Sequence, residues 1–116
     1  MIKIVLIEDD AAIADAISVA FDNKQYDISI FTNATPILND QFEAPDIFII
    51  DRQLVGIDGL EICRYLKAHA VYKNIPVVIT SASPMTAPFA IQAGAAEFLE
   101  KSFTLKTLRG IIEKYC

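Results

Sequence analysis

Residues 45–67 read PDIFIIDRQLVGIDGLEICRYLK. Within this stretch Ile47–Ile50 is apolar at every position, without the alternation of a strand that is wet on one side. That pattern belongs to a strand buried on both faces. The run stops at Asp51. Shortly after it, Asp58-Gly59-Leu60-Glu61 has the spacing of a capping box. The helix it opens carries a stripe of Leu60, Cys63 and Leu66, extended by the stem of Lys67. A strand buried on both faces and followed by an amphipathic helix is the unit of a parallel sheet with helices on both sides.

The same unit recurs in both directions from this stretch. Ile4–Ile7 is a second continuous apolar run, ended by Glu8-Asp9-Asp10. Asp10 is placed to cap a helix whose buried face is Ile13, Ile17, Ala20 and Phe21. Tyr26–Phe31 alternates as a strand near a sheet edge does, and Thr35-Pro36 opens a short helix burying Ile37, Leu38 and Phe42. On the other side, Pro76–Thr80 is the fourth strand and stops at Ser81. A brief helix around Phe89–Ala93 ends at Gly94, the strand Glu97–Glu100 ends at Lys101, and a last helix from Thr104 buries Leu105, Leu108, Ile111 and Ile112. The pattern predicts a doubly wound α/β domain, a five-stranded parallel sheet with five helices on right-handed crossovers, and the strand order is taken as 2-1-3-4-5, one of the two common orders of such sheets. At 116 residues the whole chain, 1–116, reads as one domain.

Composition narrows the function classes. Hydrophobic residues are 53% and charged residues 22%, a globular balance. A net charge of −5 argues against a surface that tracks nucleic-acid phosphates. The cysteines, Cys63 and Cys116, have no metal-ligand spacing and read as reduced thiols. No basic stretch with a cleavable apolar segment opens the chain, and no apolar run reaches membrane-spanning length. A soluble, cytoplasmic protein is expected.

The reactive side chains fall in one kind of place. Glu8, Asp9, Asp51, Ser81 and Lys101 all lie at or just past the carboxyl end of a strand. In a parallel sheet those ends share one edge, and ligands bind there, where the strand order reverses. That point lies between the first and third strands, which carry the acidic residues. Carboxylates held together repel unless a cation neutralises them, and hard oxygen ligands suit Mg²⁺. A lysine adds a second positive charge, and a hydroxyl adds a donor for an incoming phosphoryl oxygen. These are the parts phosphoryl transfer needs: a positioned nucleophile, and cations for the charge on the equatorial oxygens.

Over nearly its whole length the chain resembles the response-regulator receiver family. VLIEDD resembles the family's acidic motif, the stretch quoted above its phosphoacceptor segment, IPVVITSAS its fourth-strand motif and AGAAEFLEKSF its fifth-strand motif. The resemblance implies Asp51 as the acceptor of a phosphoryl group from a histidine kinase or phosphotransfer protein. It implies Mg²⁺ bound by Glu8, Asp9, Asp51 and the backbone carbonyl of Gln53, with Lys101 facing them. Ser81 and Phe98 would be the switch pair, with Ala82 clearing the site. The output surface would be the fourth helix, fifth strand and fifth helix, leading to an output domain or protein partner and leaving room for a homodimer. It implies a signalling domain, not a classical enzyme.

Some positions depart from the family pattern. Ser102 stands where proline usually follows the lysine; a trans Lys101–Ser102 bond is expected, being intrinsically favoured by ~3–4 kcal/mol. Gln53 and Val55 replace methionine and proline. The segment from Ser81 to Gly94 is about two residues short and holds Pro84 and Pro88, so the fourth helix should start late and be brief. Arg52 is placed either to reach a phosphoryl group or to offset local negative charge. His69, the only histidine, reads as a structural or surface residue near a helix end, and Tyr26, Tyr65, Tyr72 and Phe42 as packing.

Other classes compete. An aspartyl-phosphate hydrolase would want an acid two residues after the nucleophile, where this chain has Gln53. A flavodoxin-like cofactor binder would want a Ser-, Thr- and Gly-rich loop after the first strand, where this chain has three acidic residues. A degenerate receiver that interacts without phosphorylation stands as the alternative within the family.

Overall fold

The computed structural model describes residues 1–116 throughout. Its elements are β1 (Ile2–Ile7), α1 (Ala11–Ala20), β2 (Tyr26–Phe31), α2 (Thr35–Leu38), β3 (Ile47–Asp51), α3 (Gly59–Ala68), β4 (Val77–Ser81), a 3₁₀ turn (Pro84–Thr86), α4 (Ala87–Gln92), β5 (Glu97–Glu100) and α5 (Leu105–Tyr115). The strands pair in parallel, in the order β2-β1-β3-β4-β5. This is the expected doubly wound sheet.

Pleating sends alternate side chains to opposite faces. Val5, Ile7, Phe48, Ile50, Val77 and Ile79 face one core, closed by Ile37 of α2, by Leu60, Ile62, Cys63 and Leu66 of α3, and by Ala90 of α4. Ile4, Leu6, Ile47, Ile49 and Val78 face the other, closed by Ile17 of α1 and by Leu108 and Ile112 of α5. With a helical layer on each side, every position of β3 and β4 is buried. That explains the unbroken apolar runs, each buried side chain contributing roughly 1.5–3 kcal/mol.

The boundaries differ from the sequence reading in small ways. β1 begins at Ile2, which pairs with Tyr26 at the start of β2. β4 runs from Val77 to Ser81; Pro76 has no N–H to pair and only offers its carbonyl to Phe48 N, at 3.0 Å. Asp10 caps α1 through Ala12 N and Ile13 N, as anticipated. Asp58 caps α3 through Leu60 N, but the reciprocal half of the capping box does not form, because Glu61 pairs with Arg64 instead. α4 is short and opens after the 3₁₀ turn, with Pro88 accommodated in its first turn. Gly94 follows it at φ +98°, a conformation that favours glycine. Both cysteines are free, and no helix is long and apolar enough to cross a membrane.

Candidate functional site

The carboxyl edge of the sheet gathers the residues singled out above. Glu8 follows β1, Asp51 ends β3, Ser81 ends β4 and Lys101 follows β5. Glu8 and Asp51 are only 2% and 3% exposed, so their charges must be met within the protein or by a bound cation. Lys101 Nζ lies 2.8 Å from Glu8 Oε1 and 3.1 Å from Asp51 Oδ2. Asp51 Oδ1 accepts from Gln53 N at 3.1 Å, which fixes the carboxyl group across its own turn. Asp9 is less buried, and its Oδ2 accepts from Val55 N at 3.2 Å.

The seat of Asp51 depends on Gly59. A Cβ on Gly59 would lie 2.2 Å from the Asp51 carbonyl oxygen, so only glycine lets α3 start this close to the end of β3.

The electrostatics follow from crowding. Burial, then the adjacent Asp51 carboxylate, push the Glu8 carboxyl up to about 7, while Lys101 pulls the other way. For Lys101, burial works to lower the pKa, but Glu8 and then Asp51 hold the ammonium above the ordinary lysine value. Ligand oxygens of Glu8, Asp9 and Asp51 lie within 4.8 Å of one another. Lys101 offsets one of these charges, leaving an all-oxygen anionic set open on the Asp9 side. Such a donor set fits a hard divalent cation of the Mg²⁺ type.

The Lys101–Ser102 peptide is cis, not the expected trans: the two carboxylate contacts that hold the lysine outweigh the intrinsic trans preference. The ammonium reaches both Glu8 and Asp51, as its charge requires.

The hydroxyl side of the site is more connected than the sequence suggests. Ser81 is fully buried, and its Oγ meets the Gln53 side-chain amide, Ser83 N and Thr86 Oγ1. Phe98 is half-buried and pairs in register with Ile79, two residues before Ser81 and on the same face of β4. Arg52 turns to Thr86 and Asp58, at 2.9 and 3.4 Å, so it offsets a nearby acidic residue. His69 lies outside the site at the end of α3, 3.3 Å from Asp40 and stacked near Tyr72. Tyr65 does more than pack, because its hydroxyl donates to Asp40 at 2.6 Å.

Nothing in the sequence singles out Thr86, which lies between two prolines in a segment with no periodic pattern, and the Gln53 side chain stands out there only as a departure from the family pattern, with no partner assigned.

The response regulator receiver domain family matches residues 4–113. The sensory transduction protein BceR of Halalkalibacterium halodurans is 32% identical over 112 residues, covering 93% of this chain and 47% of BceR. The chain spans about half the length of the curated relatives it matches. The chemotaxis response regulator CheY4 of Vibrio cholerae has the same fold at a TM-score of 0.88 and 20% identity, covering 100% of this chain and 99% of CheY4. The receiver domain of the sensor histidine kinase PA1611 of Pseudomonas aeruginosa, solved with a magnesium ion coordinated in its active site cleft, gives 0.86 at 20% identity, covering 98% and 96%. With nearly every residue inside the family match, this chain belongs to the response regulator receiver domains, signalling domains whose general function is phosphorylation-dependent switching in two-component systems.

Proposed function

We propose that residues 1–116 act as one receiver unit that takes a phosphoryl group on Asp51 from a histidine kinase or phosphotransfer protein. The observation that carries this reading is the buried Asp51 carboxylate with Lys101 Nζ at 3.1 Å. In the transfer, an Asp51 carboxylate oxygen bonds to phosphorus as the bond from phosphorus to the donor nitrogen breaks. Glu8, Asp9, Asp51 and the Gln53 carbonyl would hold Mg²⁺. Bound there, the ion supplies positive charge against the equatorial phosphoryl oxygens. Lys101 stays with Asp51 and neutralises added charge, and Ser81 supplies a hydrogen-bond donor. Ser81 and Phe98 then shift together and reshape the face of α4, β5 and α5, which meets an output domain or protein partner. A receiver working with such partners would act in the cytoplasm.

Acetyl phosphate tests the reading without a kinase: with Mg²⁺ it should add one phosphoryl group, its acyl–phosphate bond breaking as the bond to Asp51 forms. Asp51→Asn should abolish the addition, and unchanged labelling of that variant would reject Asp51 as the acceptor.

A further inference from the structure

Ser81 Oγ has more neighbours than one hydroxyl can satisfy. Within hydrogen-bond distance lie Gln53 Nε2 at 2.8 Å, Gln53 Oε1 at 3.1 Å, Ser83 N at 3.1 Å and Thr86 Oγ1 at 3.2 Å. A hydroxyl offers one proton and two lone pairs. Which partner receives the proton is decided elsewhere, at Arg52. A guanidinium has donors and no acceptor, so the 2.9 Å contact between Arg52 Nη1 and Thr86 Oγ1 can run only from Arg52 to Thr86. Thr86 is fully buried, and its own proton is left for Ser81. The Ser83 N–H can likewise only donate. Gln53 Nε2, Ser83 N and Thr86 Oγ1 all donate towards Ser81 Oγ, so three donors compete for its two lone pairs and the one acceptor left for its proton is Gln53 Oε1.

Gln53 belongs to the turn that Asp51 opens, and its own N–H is bonded to Asp51 Oδ1. A phosphoryl group on Asp51 would present acceptors only. A Ser81 proton already held on the Gln53 side needs only to leave one acceptor for another. Arg52 is anchored for this task by Asp58, the cap of α3, and by the Phe89 ring of α4, 5.8 Å away.

We infer that Arg52 and Thr86 form a donor relay that fixes the direction of the Ser81 hydroxyl, and are positioning residues for phosphoryl capture. This rests on the reading of Asp51 as acceptor. Without the Thr86 hydroxyl, Gln53 Nε2 no longer competes for a lone pair of Ser81; the amide turns fully onto the hydroxyl through Nε2, which carries Oε1 away, and the Ser81 proton loses its fixed direction.

The test is the initial rate of labelling by acetyl phosphate with Mg²⁺, in the full chain. Thr86→Val keeps the side-chain volume and should slow labelling about fivefold, the worth of one hydrogen bond. Thr86→Ser should restore it. In a Ser81→Ala background, Thr86→Val should have no further effect, a non-additivity that loosened packing would not produce. If Thr86→Val does not fold, Arg52→Met keeps the apolar stem, removes the first donor and should slow labelling in the same Ser81-dependent way. A rate equal to wild type, or an equal slowing with and without the Ser81 hydroxyl, would overturn the relay and leave Asp51 as acceptor. Absence of Asp51-dependent labelling in the wild-type chain would instead overturn the underlying reading, and the relay with it.

Discussion

Glu8, Asp9 and Asp51 gather more negative charge than Lys101 can offset, and this imbalance has a measurable consequence. A cation that binds only the native state stabilises it by mass action, by about 1.4 kcal/mol at ten times its dissociation constant. Added Mg²⁺ should therefore raise the thermal midpoint, and Asp9→Ala should remove most of the rise. A midpoint indifferent to millimolar Mg²⁺ would count against the site. A second residue tests burial alone. Cys63 is fully buried, with Sγ 3.5 Å from the Ala93 carbonyl, and burial pushes its thiol from 9.0 to about 11. The folded state thus favours the protonated form. The contribution is complete below about pH 9 and is lost as pH rises towards 11, on the order of 2–3 kcal/mol in total. Urea midpoints should fall across that window, and the fall should be shallower in Cys63→Ala.

At the scale of elements, the seating of α3 on β3 is the most constrained junction. Gly59→Ala would drive a methyl group into the Asp51 carbonyl, so either the helix start or the acceptor turn must move. The expected cost is roughly 2–4 kcal/mol, read by chemical denaturation, with slower labelling of Asp51 as a companion effect. The elements themselves were legible where burial imposes a pattern. β3 and β4 are covered on both faces and so spell out unbroken apolar runs, while α3 and α5 show clear stripes. The segment Pro84–Gln92 was legible only as a late, short helix, because its local shape is set by prolines and by contacts to Arg52 and Phe89 that leave no period. The same limit applies to the site. Asp51, Glu8, Asp9, Ser81 and Lys101 announce themselves by lying at strand ends. Thr86 earns its contact with Ser81 from the path of a loop, and the cis bond after Lys101 from the tertiary position of its ammonium.

For the whole molecule, the question is how an event at Asp51 reaches a surface that a partner can read. Ser81 and Phe98 lie on neighbouring strands, one fully buried and the other half-buried. In the switch proposed above, the change would be a shift between two packings, tied to the phosphoryl group through the Ser81 hydroxyl. Ser81→Ala should therefore still be labelled, although more slowly, while the chemical-shift response of Phe98 and α4 to labelling shrinks severalfold. A full response in that variant would disconnect the pair. Because the chain spans about half the length of the curated relatives it matches, the reader of this surface in a longer protein can be a domain of the same polypeptide.

Lys101 and Glu8 touch across 93 positions of sequence. On the ribosome, Glu8 emerges early and Asp51 about midway, and both wait for their counter-charge. A nascent chain halted at Gly94 would already hold β1, β3 and β4, yet Glu8 and Asp51 would lack their ammonium partner. The acidic cluster therefore meets its counter-charge late, only once the last strand has brought Lys101 into place.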